Sequence, residues 1–150
     1  MTGPDRNDAS VDDVVNECLA LRTRMAARAV TRRFDEALRP LKLRVTQFTL
    51  LVAIEKGEPA KIPDLAHRLA MERTTLIRNL KVMDRAGLVD AGPEGYQRSR
   101  SLRLTQKGRD LLGRALPLWR QVQAQLEAEV GAKDTPELRA LLERLARSQP

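Results

Sequence analysis

A chain of 150 residues, 42% hydrophobic and 31% charged, is long enough for one packed domain and too short for two independent ones. Aromatics at 3% exclude a core of stacked rings, so Leu, Val, Ala and Ile must fill it, a mixture that favours packed helices. One cysteine, a polar acidic start and no apolar run near the roughly 20 residues of a membrane span exclude a disulfide scaffold, a secretion signal and a membrane helix; a net charge of +7 suggests a polyanionic partner, and the cytoplasm is the expected compartment.

Residues 1–9 read as a flexible tail. From Ser10, a good N-cap followed by Asp12 and Asp13, the pattern predicts one long helix. Val11, Val14, Cys18, Leu21 and Met25 recur at three- and four-residue steps, and Ala29, Phe34, Ala37 and Leu38 carry the seam on to Pro40, which stops it. So long a helix in so small a chain should meet a second subunit. After the connector Leu41–Val45, Thr46 is the expected cap of a second helix through Phe48, Leu50, Leu51, Val52 and Ile54, with Gly57 as its C′ residue. Ala60–Ile62 has the character of a short strand. Pro63 and Asp64 start a third helix with Leu65, Ala66 and Leu69 inward, and Ala70–Met71 breaks it from a fourth, Glu72–Arg85, ended by Ala86 and Gly87.

Leu88–Ala91 and Ser99–Leu104 then read as two strands about the turn Gly92–Gly95, a β-hairpin. Thr105 caps a long fifth helix with Leu112, Ala115, Leu116, Trp119, Val122, Leu126 and Val130 on one side. Pro117 inside it should bend it or open one backbone bond, and Gly131 closes it. Asp134-Thr135-Pro136-Glu137 opens a last helix bearing Leu138, Leu141, Leu142 and Leu145.

Two short helices about a tight break, followed by a two-stranded hairpin, is the order of a winged helix-turn-helix. The fold class is therefore mainly α, with a small β-hairpin wing and terminal helices that form a dimerisation domain. Its expected parts are a dimerisation helix with connector at 10–45, a DNA-binding lobe at 46–106 and C-terminal dimerisation helices at 107–150. Between Lys61 and Arg109 eleven basic residues face five acidic ones, which places most of the net charge on a third of the chain. On the fourth helix Leu76, Ile77, Leu80 and Met83 form one face. Thr74, Arg78, Lys81 and Arg85 climb the other, with Arg73, Thr75 and Asn79 beside them. Arg can grip guanine through two hydrogen bonds, Asn can do the same for adenine, and Thr offers a hydroxyl or a methyl group. Arg98 and Arg100 in the hairpin, then Lys61 and His67 around the third helix, complete the candidate DNA-binding set.

The run Ile62–Val89, with Thr46-Gln47-Phe48 opening the second helix and Leu102-Arg-Leu-Thr-Gln-Lys-Gly108 leaving the hairpin, resembles the core of the MarR (multiple antibiotic resistance regulator) family over residues 12–130. The resemblance implies a homodimer whose first, fifth and sixth helices interlock. Recognition helices would enter successive major grooves of double-stranded DNA, with wings over the flanking minor grooves. It also implies a repressor, released from a palindromic operator by a small-molecule effector or an oxidant. Three positions depart from the family pattern. Tyr96-Gln97-Arg98 stands where Asp-x-Arg is common, the Gly92–Gly95 turn is short, and Lys42 replaces a glycine.

Other residues have two readings. Cys18 lies on the apolar seam, where packing is the simpler role and a redox-sensing regulator the alternative. Arg22, Arg24, Arg28, Arg32 and Arg33 form a solvated face or an anion-binding cleft, and Trp119 and Met25 belong to the core or border a ligand pocket. No His, Cys or carboxylate cluster has metal-ligand spacing, and no nucleophile–base pattern or phosphate loop is present, so neither a cofactor, a metal nor an enzymatic activity is expected. A winged-helix protein-interaction module without a DNA target is the competing function.

Overall fold

The computed structural model describes residues 9–57, 61–92, 95–98 and 102–148, apart from the side chains of Gln97 and Arg98. Helix α1 is Val11–Glu17 and α2 is Leu19–Leu38, followed by a single 3₁₀ turn at Arg39–Leu41. Next come α3 (Val45–Lys56), α4 (Ile62–Arg68), α5 (Arg73–Arg85), β1 (Val89–Asp90), α6 (Gly95–Arg98), β2 (Arg103–Leu104), α7 (Gln106–Val130) and α8 (Asp134–Arg147). Among the described residues no helix is long and apolar enough to cross a membrane.

Ser10 caps α1 as expected: its hydroxyl accepts from the Asp13 amide and the Asp13 carboxylate accepts from the Ser10 amide. The long first helix is not continuous, however. Cys18 adopts an extended ψ of 111°, and its sulfur accepts the Leu21 amide at 3.4 Å as the N-cap of α2. Because the bonds Cys18 N to Val14 O and Arg22 N to Cys18 O survive, the apolar period runs across the break undisturbed. Periodicity is blind to such a change at one residue.

The start of α3 also differs from expectation. Arg44, not Thr46, stands at the N-cap, and the cap comes from another helix: Asp35 of α2 accepts the Val45 amide at 2.8 Å and the Arg44 guanidinium at 2.9 Å. Gln47 folds back to accept the Arg44 amide at 3.0 Å. Lys42 has φ 52°, in the left-handed region where glycine is favoured. At the far end Gly57 is the C-cap at φ −108°, not a left-handed C′ residue. A Cβ there would lie 3.3 Å from Ala53 O, a tight contact with backbone, and 3.1 Å from the movable Arg68 guanidinium.

No strand forms at Lys61–Ile62: Lys61 is the N-cap of α4 and Ile62 its first residue, because Pro63 and Asp64 favour a first helical turn. Ala60 lies outside the described residues. The first strand of the hairpin is shorter than expected, Val89–Asp90, and Ser99–Ser101 of the second lie outside the described residues. The strands pair antiparallel, Val89 with Leu104 and Asp90 with Arg103. The chain between them includes a one-turn helix, α6, which the sequence pattern does not mark. Thr105 caps α7 by accepting the Gly108 amide at 3.0 Å, and α7 runs through Pro117 to Val130, so the proline opens one backbone bond without ending the helix.

One core joins these elements. Leu38, Leu50, Leu51, Ile54, Ile62, Leu65, Leu76, Leu80 and Met83 are almost wholly buried, with Leu102, Leu104 and Leu112 closing the cluster from the wing base and α7. The apolar seam at the chain's N-terminal end has no such cover. Val11 is 80% exposed and Met25 51%, while Leu138, Leu141, Leu142 and Leu145 of α8 are each exposed by two fifths or more, to within a per cent.

Candidate nucleic-acid interface

The helix-turn-helix comprises α4, a tight turn and α5. Ala70 makes the turn at φ 47°, a left-handed conformation that costs an alanine on the order of 1–2 kcal/mol. The amide of Met71 closes back on Ala66 O at 2.9 Å. At its other end α5 finishes in a Schellman arrangement. Gly87 at φ 72° donates to Asp84 O, and Leu88 donates to Met83 O.

Between these ends α5 has two unlike faces. Leu76, Leu80 and Met83 are 0% exposed, and Ile77 is half-buried. Arg73, Thr74, Thr75, Arg78, Lys81 and Arg85 are exposed. Asn79 is half-buried, and its side-chain amide donates to Thr75 O at 2.9 Å within the same helix, so it is committed until that bond is exchanged. Lys61 and His67 are both exposed, at the first and last turns of α4. The backbone of Arg98 lies in α6, whereas Arg100 lies outside the described residues.

A clamp holds the far end of α5 to the start of α7. The Thr105 hydroxyl donates to Gly87 O at 2.6 Å, and the Lys107 ammonium donates to Ala86 O at 2.7 Å. These bonds satisfy carbonyls at the negative end of the helix dipole, where a cation is favoured. Gly108 lets α7 pass the chain just before β1, since a Cβ there would collide with Leu88 O.

Solved structures share this arrangement. The Mycobacterium tuberculosis transcriptional regulator MosR is 42% identical; the match covers 88% of this chain and 95% of that one, with a TM-score of 0.75. MosR in complex with DNA is 39% identical over 87% of this chain and 96% of that one, TM-score 0.73. A MarR-family protein of the same organism, in complex with p-aminosalicylic acid, is 25% identical over 85% and 97%, TM-score 0.63. The chain belongs to the MarR family of transcriptional regulators. No family model and no curated protein matches the sequence.

Two departures from the MarR pattern now have physical accounts. Lys42 occupies a left-handed position that suits the common glycine. Tyr96, at the position where the family pattern has an acid, packs its ring on the core, and its hydroxyl donates to Leu80 O of α5 at 3.3 Å. The sequence marks Thr105 as a helix cap and Lys107 only as part of the Leu102–Gly108 motif, and the clamp the two form is marked by neither. Their targets are backbone carbonyls about 20 residues earlier, which no local pattern marks.

The remaining candidates separate clearly. Arg33 makes a two-pronged pair with Glu129 of α7 at 2.7 Å, which holds the Glu129 carboxyl below the usual carboxylate range, and Arg22 donates to Val15 O. Those two arginines are engaged; Arg24, Arg28 and Arg32 are exposed. Cys18 is half-buried, a free thiol whose sulfur accepts the Leu21 amide. Trp119 stacks on Phe48, with centroids 6.4 Å apart. The two border a recess of about 420 Å³ with Thr49, Val52, Ala53, Leu69 and Leu116, and Lys56 and Arg68 also line it. Met25 is not among its lining residues. Among the described residues no group of three or more His, Cys, Asp or Glu could hold a metal ion.

Proposed function

We propose that the chain is a sequence-specific DNA-binding transcriptional repressor, acting as a homodimer on a palindromic operator and released by a small-molecule effector. The observation that carries this reading is α5, buried on one face and lined on the other by Thr74, Thr75, Arg78 and Lys81. A 39%-identical relative solved in complex with DNA supports it. Arg78 is the candidate guanine reader, and Arg73, Thr74 and Thr75 in the first turn would meet phosphates or base edges. Asn79 reaches adenine once it gives up Thr75 O. Lys61, His67, Lys81 and Arg100 serve phosphates, and Arg98 enters the minor groove.

The uncovered leucines of α8 and valines of α1 supply the dimer interface. A two-fold dimer then sets half-sites roughly 34–36 Å apart, matching an operator with the same symmetry. The recess beneath Trp119 is the effector site. Its apolar walls suit a flat molecule, while Lys56 and Arg68 suit an anionic group on it. The relative bound to p-aminosalicylic acid supports that class.

Gel shifts with the DNA upstream of the chain's own coding sequence test the proposal. Binding should prefer that sequence and weaken steeply between low and moderate salt. Arg78→Ala should lose about 1–3 kcal/mol of discrimination at one base position per half-site. Equal affinity for all duplexes at moderate salt would sink the repressor and favour a protein-interaction role.

A further inference from the structure

The wing is joined to the recognition helix by the chain's single tyrosine. Gly92 donates to the Asp90 carboxylate at 2.8 Å, and Gly95, at φ 64°, donates to Gly92 O, so the chain turns back as it enters α6. That turn lays Tyr96 on α5. Its ring is half-buried against the core, and its hydroxyl lies at Leu80 O, 3.3 Å away, with the Asp84 carboxylate one helical turn on. Burial first, and hydrogen bonding to Asp84 second, push the phenol far above its ordinary range, so it stays a neutral donor. Arg98 is two residues further along the same helical turn.

We propose that Tyr96 is the positioning residue of the wing: its contact with Leu80 and Asp84 sets the angle at which α6, and with it Arg98, meets DNA relative to the recognition helix. In the MarR pattern an acid beside the arginine occupies this place; here the orienting contact comes from α5 itself. A bland core filler would need only the ring. The hydroxyl adds direction, because its acceptors sit on the element that reads the major groove. The inference rests on the DNA-binding reading above.

The test compares the affinity of the full chain for an operator duplex with its flanks and for one trimmed to the major-groove half-sites. The ratio of the two measures the wing's contribution. Tyr96→Phe keeps the ring and should reduce that ratio about threefold to tenfold, the worth of one hydrogen bond. Base discrimination within the half-sites and thermal stability should change little. Arg98→Ala should remove most of the ratio, and adding Tyr96→Phe to it should cost nothing more. If Tyr96→Phe lowers stability, Asp84→Ala, which keeps the tyrosine and removes its side-chain acceptor, should still reduce the ratio.

A Tyr96→Phe chain with the full flank-dependent gain overturns the inference, as do losses that simply add in the double variant. A wild-type chain that prefers its operator but gains nothing from the flanks overturns the wing role alone. One that shows no sequence preference overturns the proposed function as well.

Discussion

The DNA-reading lobe and the terminal helices use similar residues to opposite effect. In α3, α4 and α5 the leucines and isoleucines on the inner faces are buried within the single chain, and both ends of α5 are tied down by the Ala70 turn, the Gly87 turn and the Thr105–Lys107 clamp. In α1 and α8 the same residue types recur with the same helical period, yet Val11, Val14, Leu138 and Leu142 remain open. A lobe that closes on itself can hold a reading edge rigid. Helices that do not close must take their stability from a second copy, so assembly rather than local packing decides how two reading edges are spaced.

The contrast can be broken most sharply inside the lobe. Gly108→Ala forces a Cβ against Leu88 O and should cost about 4 kcal/mol by denaturant unfolding, with loss of operator binding. A variant of unchanged stability would mean that the clamp tolerates slack. In the terminal helices, Leu142→Ala should leave the protomer's own packing nearly intact. It should weaken the dimer by about 2 kcal/mol, roughly thirtyfold in dissociation constant by sedimentation. An unaltered dimer would remove α8 from the interface.

A smaller effect sharpens the comparison from the other direction. Ala70→Gly relieves a left-handed alanine and should raise stability by up to about 1 kcal/mol, after the entropic cost of the glycine. The smallest effect concerns Arg33–Glu129, which ties α2 to α7. Since Glu129 is held below its ordinary range, the pair stabilises above the unfolded carboxylate pKa, and that contribution fades as pH falls through the lower folded value. Acid titration of the wild type against Glu129→Gln should show the difference between them narrowing at the acid end. Both side chains are substantially exposed, so salt should shrink it too.

Much of this protein could be read from residues alone because the relevant physics is local. The two faces of α5, the caps at Ser10 and Thr105, the stop at Gly87 and the order of helices and hairpin all follow from spacing and residue type within a few positions. So did the excess of basic charge over residues 61–109. Tertiary structure decided what depends on distant partners. Asp35 supplies the cap of α3 from another helix, Cys18 breaks a period that continues on both sides of it, and Lys107 reaches the end of α5 from α7. Tyr96 turned inward because acceptors on α5 lay within its reach, whereas its position in the chain marked only the absence of an acid. Periodicity tells which side of an element is apolar; which surface covers it, and which carbonyl a side chain finds, is fixed only when the elements pack together.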